Sequence, residues 1–159
     1  MVDEAKAKKK YLGESLDIHI SSFAKKRSYN RRLSIWQHSA IVLTGAIITI
    51  LSGLRIELGD DAVFDLDLIT KNITLFLGAI TTIIGAYKAF FNNDTIWLKY
   101  TMTCNNLKKV KSEFEYYLEG KKDGEIEITR LDEFKNKIQK ILDETNNDWE
   151  SLRLKITQH

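Results

Sequence analysis

The sequence predicts an all-α protein: a two-transmembrane helical hairpin with long cytoplasmic helix extensions and a third, C-terminal cytoplasmic helix. Three observations predict it. No formal charge falls among the 21 residues from Ser34 to Leu54 or the 16 from Asn72 to Tyr87, although 29 % of the 159-residue chain is charged. Helical residues rise about 1.5 Å each, so about 20 of them cross the roughly 30 Å hydrocarbon layer. Proline is absent from the chain, which removes the strongest helix breaker. Finally, charge is sorted by side. Residues 1–33 carry nine Lys or Arg against four acids, whereas 55–71 carry five acids against two bases. Basic outer flanks and an acidic middle segment place both termini in the cytoplasm. The mean hydropathy of −0.27 conceals this segregation.

Residues 1–33 form an amphipathic cytoplasmic helix. Within a first helix expected from about Tyr11 to Leu54, Leu12, Leu16, His19, Ile20, Phe23 and Leu33 recur at roughly three- to four-residue steps. The basic group Lys25, Lys26, Arg27, Arg31 and Arg32 just before the apolar run is a topology signal rather than a nucleic-acid patch. The first transmembrane helix occupies 34–54. Its apolar run starts too late and runs too long for a signal peptide, so it is an uncleaved anchor. Trp36 and His38 sit at its cytoplasmic interface, and Gly45, Thr49 and Ser52 share one side as helix-packing positions.

An acidic extracytoplasmic loop follows over 55–69, with a short helical turn expected at Phe64–Leu68. The second transmembrane helix spans 70–92 and continues without interruption as a cytoplasmic extension over 93–119, where Trp97 and Tyr100 make an interfacial belt. Cys104, Leu107, Val110, Phe114 and Leu118 keep a helical stripe up to Gly120. After a glycine-marked loop the C-terminal cytoplasmic helix covers 126–157, opened by a capping-box variant of Thr129 and Asp132. Its stripe is Leu131, Phe134, Ile138, Ile141, Thr145, Trp149, Leu152 and Ile156. Stripes at this spacing are packing seams, so a helical bundle or coiled coil under the membrane is expected. The soluble alternative buries both uncharged runs in a bundle core.

Enzyme signals are absent. His19, His38 and His159 have no metal-ligand spacing with the single cysteine, Cys104, and no phosphate-binding loop, dinucleotide fingerprint or GxSxG elbow occurs. No catalysis, cofactor or metal is therefore expected, and nucleic acid is an unfavoured partner. A lone cysteine fits a reducing compartment. The informative pattern lies in the second span, where Thr74, Gly78, Thr81, Gly85 and Lys88 recur at steps of four and three on one face. Hydroxyls and glycine backbone either line a hydrated path or let helices approach and hydrogen bond, and the pattern serves both. Lys88 either snorkels to the headgroups or, repeated around a ring of subunits, favours anions. One hairpin cannot enclose a path, so a pore requires a closed homo-oligomer.

Beyond Tyr87, Lys88-Ala-Phe-Phe, Trp97-Leu-Lys-Tyr100 and Leu107-Lys-Lys with Glu113, Tyr116, Tyr117 and Leu118 resemble the post-membrane helix of the SLATT family. These small two-transmembrane proteins are named for association with SMODS nucleotidyltransferases and SLOG sensor domains. Phe134, Ile138, Ile141, Asn146 and Trp149 fit the family's C-terminal helix, and Arg31-Arg32 leading to Trp36 fits its membrane entry. The resemblance implies a stand-alone member in the bacterial inner membrane. It further implies an effector of bacterial conflict systems that opens pores after a nucleotide signal, the trigger here being a separate sensor protein, a small molecule or a membrane cue. The alternative is a non-conducting membrane-anchored adaptor that recruits a cytoplasmic partner through its helical bundle.

Overall fold

The structure, a computed structural model, describes residues 2–53 and 66–157, with side chains over 3–53 and 68–151. The described residues form four α-helices: α1 (Val2–Gly53), α2 (Leu66–Phe91), α3 (Asn93–Leu118) and α4 (Ile128–Thr157). A single 3₁₀ turn, Asp123–Glu125, lies between α3 and α4. The all-α prediction holds. Most of the acidic loop expected over 55–69, and the side chains of Leu152 and Ile156, lie outside the described residues. α1 begins nine residues before Tyr11, and α2 four residues before the expected 70.

The helices divide into two compact units, Met1–Asn30 with Thr95–His159, and Arg31–Asp94. The first is a helical bundle, built by three stripes meeting. Leu12 and Leu16 of α1, Leu107, Val110 and Phe114 of α3, and Leu131, Phe134 and Ile138 of α4 form one buried cluster, with Ile126 closing it. Each set keeps the three- or four-residue step of a helix face. Full burial of one such side chain stabilises by about 1.5–3 kcal/mol. Phe114 and Phe134 meet edge to face at 5.4 Å between centroids. Thr103 and Thr145 share a buried hydroxyl contact of 2.9 Å.

Ion pairs at the bundle rim set which residues face each other: Lys8 with Asp132 at 3.1 Å, Lys111 with Asp17 at 2.5 Å, Lys137 with Glu113 at 2.7 Å and Lys99 with Asp148 at 2.8 Å. Exposed pairs of this kind contribute about 0–1 kcal/mol each, so they select register more than they supply stability. Gly120 adopts the left-handed conformation (φ 74°) just past the end of α3, where a Cβ would be disfavoured. The expected Thr129–Asp132 cap is not how α4 starts. The helix has already begun at Ile128, and the amides of Arg130 and Leu131 donate to the Glu127 carbonyl at 3.1 and 3.2 Å. Asp132 is engaged by Lys8 instead.

The second unit is the hairpin of α1 beyond Arg31 with α2, together with the first two residues of α3. Among the described residues, two helices are long and apolar enough to cross a membrane, and only 11 % of the first apolar window and 0 % of the second are buried. A soluble core helix would bury most of such a window. Instead Val42, Leu43, Ile50, Leu75, Phe76 and Ile83 all stand exposed. The expected unbroken run from α2 into α3 is corrected at Asn92, whose φ of 41° interrupts the helix after its amide donates to the Lys88 carbonyl at 2.9 Å. Asparagine is among the few residues with a side chain that enter the left-handed region at modest cost.

Candidate functional site

The inner face of α1 in the hairpin presents Ser34, Gln37 and His38, then Ile41 and Thr44 one and two turns on, as the helical repeat requires. Ser34 and Gln37 are buried, at 5 % and 1 % exposure, while the outward positions Ile35 and Trp36 are exposed. Asn92 turns the chain so that the next two residues, Asn93 and Asp94, meet that inner face. The Asn93 side-chain amide donates to Gln37 Oε1 at 3.1 Å, both residues being buried. The Ser34 hydroxyl donates to Asp94 Oδ1. Two buried amides paired with each other satisfy groups that would otherwise be costly to remove from water.

His38 joins the same knot. Its Nε2 lies 3.3 Å from Asp94 Oδ2 and 2.8 Å from Lys88 Nζ, and its Nδ1 lies 3.1 Å from that same ammonium. Lys88 also reaches Asp94 Oδ2 at 3.5 Å. Three helices thus supply one polar clasp: Ser34, Gln37 and His38 from α1, Lys88 from α2, Asn93 and Asp94 from α3. The Ser34 hydroxyl bond, followed by the His38 and Lys88 contacts, holds the Asp94 carboxyl below its ordinary range, against partial burial pushing it up. It is therefore ionised at neutral pH. The Ser34 proton goes to the carboxylate and not to His38, so the trio is not arranged as a base-activated nucleophile.

Thr74, Gly78, Thr81, Gly85 and Lys88 are all partly buried along one face of α2. Thr81 Oγ1 lies 2.8 Å from Thr44 Oγ1, whose own proton is directed to the Ala40 carbonyl at 2.8 Å, leaving its lone pair for Thr81. Within the apolar stretch, Thr44 of α1 therefore meets α2. Thr49 and Ser52, expected to pack, are exposed, and the Thr49 hydroxyl donates to its own Gly45 carbonyl at 2.9 Å. The physical reason is phase: the face opposite α2 runs through 37, 41, 44 and 48, about one position round from 45, 49 and 52. A Cβ added at Gly45, Gly78 or Gly85 would meet nothing within 4 Å, so within the hairpin these glycines do not serve close approach.

The interfacial aromatics separate. Trp36 is 62 % exposed on the hairpin. Trp97 is half-buried. Tyr100 belongs to the bundle, its ring 5.8 Å from Phe23 and 5.1 Å from Trp149, and burial raises its phenol above the usual value. Sequence reasoning singled out His38 at the membrane interface and Lys88 on the candidate pore-lining face, and missed Ser34, Gln37, Asn93 and Asp94. The signal available was the helix-interrupting Asn92-Asn93-Asp94 directly after the span, together with the Ser34/His38 four-residue repeat.

Comparison with known families follows this architecture. A profile described as a protein of unknown function, DUF4231, matches residues 19–117. The chain belongs to the DUF4231 family. No curated protein and no solved structure matches it. The DUF4231 region takes in both apolar stretches, every residue of the clasp and α3 to Tyr117, and leaves α4 beyond its edge.

Proposed function

We propose that this DUF4231 protein lies in a bacterial inner membrane as a two-span hairpin with both termini cytoplasmic, and assembles with copies of itself into an ion-conducting pore. The observation that carries the proposal is the clasp: Lys88, His38 and Asp94 gather at one end of a hairpin that exposes Val42, Leu43, Ile50, Leu75, Phe76 and Ile83 along its length. Cyclic repetition would turn one such cluster into a ring of charge where the path meets water, the arrangement by which channels select ions. The SLATT resemblance supports the same reading and adds the role of a defence effector, triggered by a separate sensor protein or nucleotide signal. No catalytic step and no cofactor enters it.

The test is ion flux through liposomes carrying the purified protein. With Lys88 in the path, anions should pass in preference to cations. Lys88→Glu should reverse that preference, and the neutral Lys88→Gln should fall between. Identical selectivity in all three would remove Lys88 from the path.

A second reading, the non-conducting adaptor, is favoured by one specific observation. The Thr81 hydroxyl is spent on Thr44 inside the hairpin, and Thr49 and Thr82 are bonded back to their own helices, which leaves little polar wall for a water path. Ion-tight liposomes containing fully inserted protein would decide for the adaptor.

A further inference from the structure

The clasp places an imidazole where its protonation sets two cations against one carboxylate oxygen. The Lys88 ammonium lies 3.1 and 2.8 Å from His38 Nδ1 and Nε2, close enough to both that it rests against the ring face, where a neutral imidazole does not repel it. Protonation makes the ring a cation at contact distance from that ammonium, and both then compete for Asp94 Oδ2, 3.3 Å from Nε2 and 3.5 Å from Nζ. The ionisable groups that face His38 among the described residues are Lys88 from α2 and Asp94 from α3. Asp94 is already shared, accepting from Ser34 and approached by Lys88 at 3.5 Å. With its carboxyl held below the ordinary range it stays ionised while histidines titrate, so it does not blur the exchange.

We infer that His38 is a proton-binding site that governs the clasp: neutral, it leaves Lys88 beside its ring and on Asp94; protonated, it takes Asp94 Oδ2 and displaces Lys88. The element positioned to respond is the junction at Asn92, the left-handed residue between α2 and α3, four residues beyond Lys88. Displacement of Lys88 removes its side-chain links from α2 to His38 of α1 and to Asp94 of α3, while the Ser34–Asp94 and Gln37–Asn93 bonds keep α3 in place. The end of α2 therefore moves against a fixed α1–α3 corner. The consequence concerns helix position, so it holds whether or not the hairpin conducts.

The experiment is a spin-label distance between Ser39→Cys on α1 and Ala89→Cys on α2. Both positions are exposed and adjoin His38 and Lys88. The full chain is used in lipid nanodiscs, with Cys104→Ala and diluted with unlabelled protein. Between pH 8 and pH 5 the distance should lengthen by about the 1–2 Å of a helix shift or more. His38→Gln, which can accept from Lys88 but cannot gain charge, should hold the pH 8 distance throughout. Lys88→Gln should also be insensitive, because the opposing cation is gone; this variant tests the idea even if the position 38 variant does not fold. A distance unchanged across this range in the parent, or His38→Gln and Lys88→Gln variants that both follow it, overturns the inference. Flux measured on the same samples is read separately, so failure of the switch and failure of the pore are distinguishable.

Discussion

Leu107→Ala is expected to destabilise the helical bundle by about 2–5 kcal/mol, measured by denaturant or thermal unfolding followed through helicity in detergent. Leu107 is 0 % exposed and sits among Leu16, Phe114, Leu131 and Phe134, where no single helix can relax into the space without opening the other two. Cost at such a site has two parts, the lost transfer of the side chain out of water and the cavity left behind. A single-domain stability of about 5–15 kcal/mol makes this a large fraction of the whole. The control is Ile18→Ala, at 66 % exposure on the same bundle, which should change stability by no more than about 0.5 kcal/mol. Equal losses at the two positions would mean that the stripes do not meet as described.

Ile83→Lys is expected to have the second large effect, on membrane insertion. Ile83 lies mid-way along α2, is 68 % exposed, and shares its side of the helix with Phe76. A lysine at the centre of a span costs about 2.5–3.5 kcal/mol on insertion scales, and none of the six residues between Phe76 and Ile83 supplies an acid to pair with it. Yield of inserted protein should fall several-fold, while Ile83→Leu stays at the parent level. An unchanged yield for the lysine variant would place this face against water rather than lipid.

These expectations differ in how far the sequence alone supports them. The two apolar helices were legible because long charge-free runs stand out in a chain that is 29 % charged. The bundle core was legible for a similar reason. Leu107, Phe114, Leu131 and Phe134 recur at helical steps, and only their burial together satisfies all three stripes. The clasp was not legible, because Ser34, His38, Lys88 and Asp94 come together from positions 50 to 60 residues apart. No local pattern encodes a contact of that separation. The break at Asn92 was missed because neither proline nor glycine announces it; the left-handed tolerance of asparagine was the one available clue. Thr44 rather than Thr49 meets α2 because the rotation of one helix about its own axis is fixed only by its neighbour.

The most direct test of the account is where the intact chain resides. Cells expressing it should be broken, and the membranes washed at high salt and at alkaline pH. If lipid solvates its exposed apolar faces, as proposed, the protein should remain with the bilayer through both washes and leave only with detergent. Recovery as a monodisperse species in the aqueous fraction, with no amphiphile present, would contradict the hairpin reading and the function built on it.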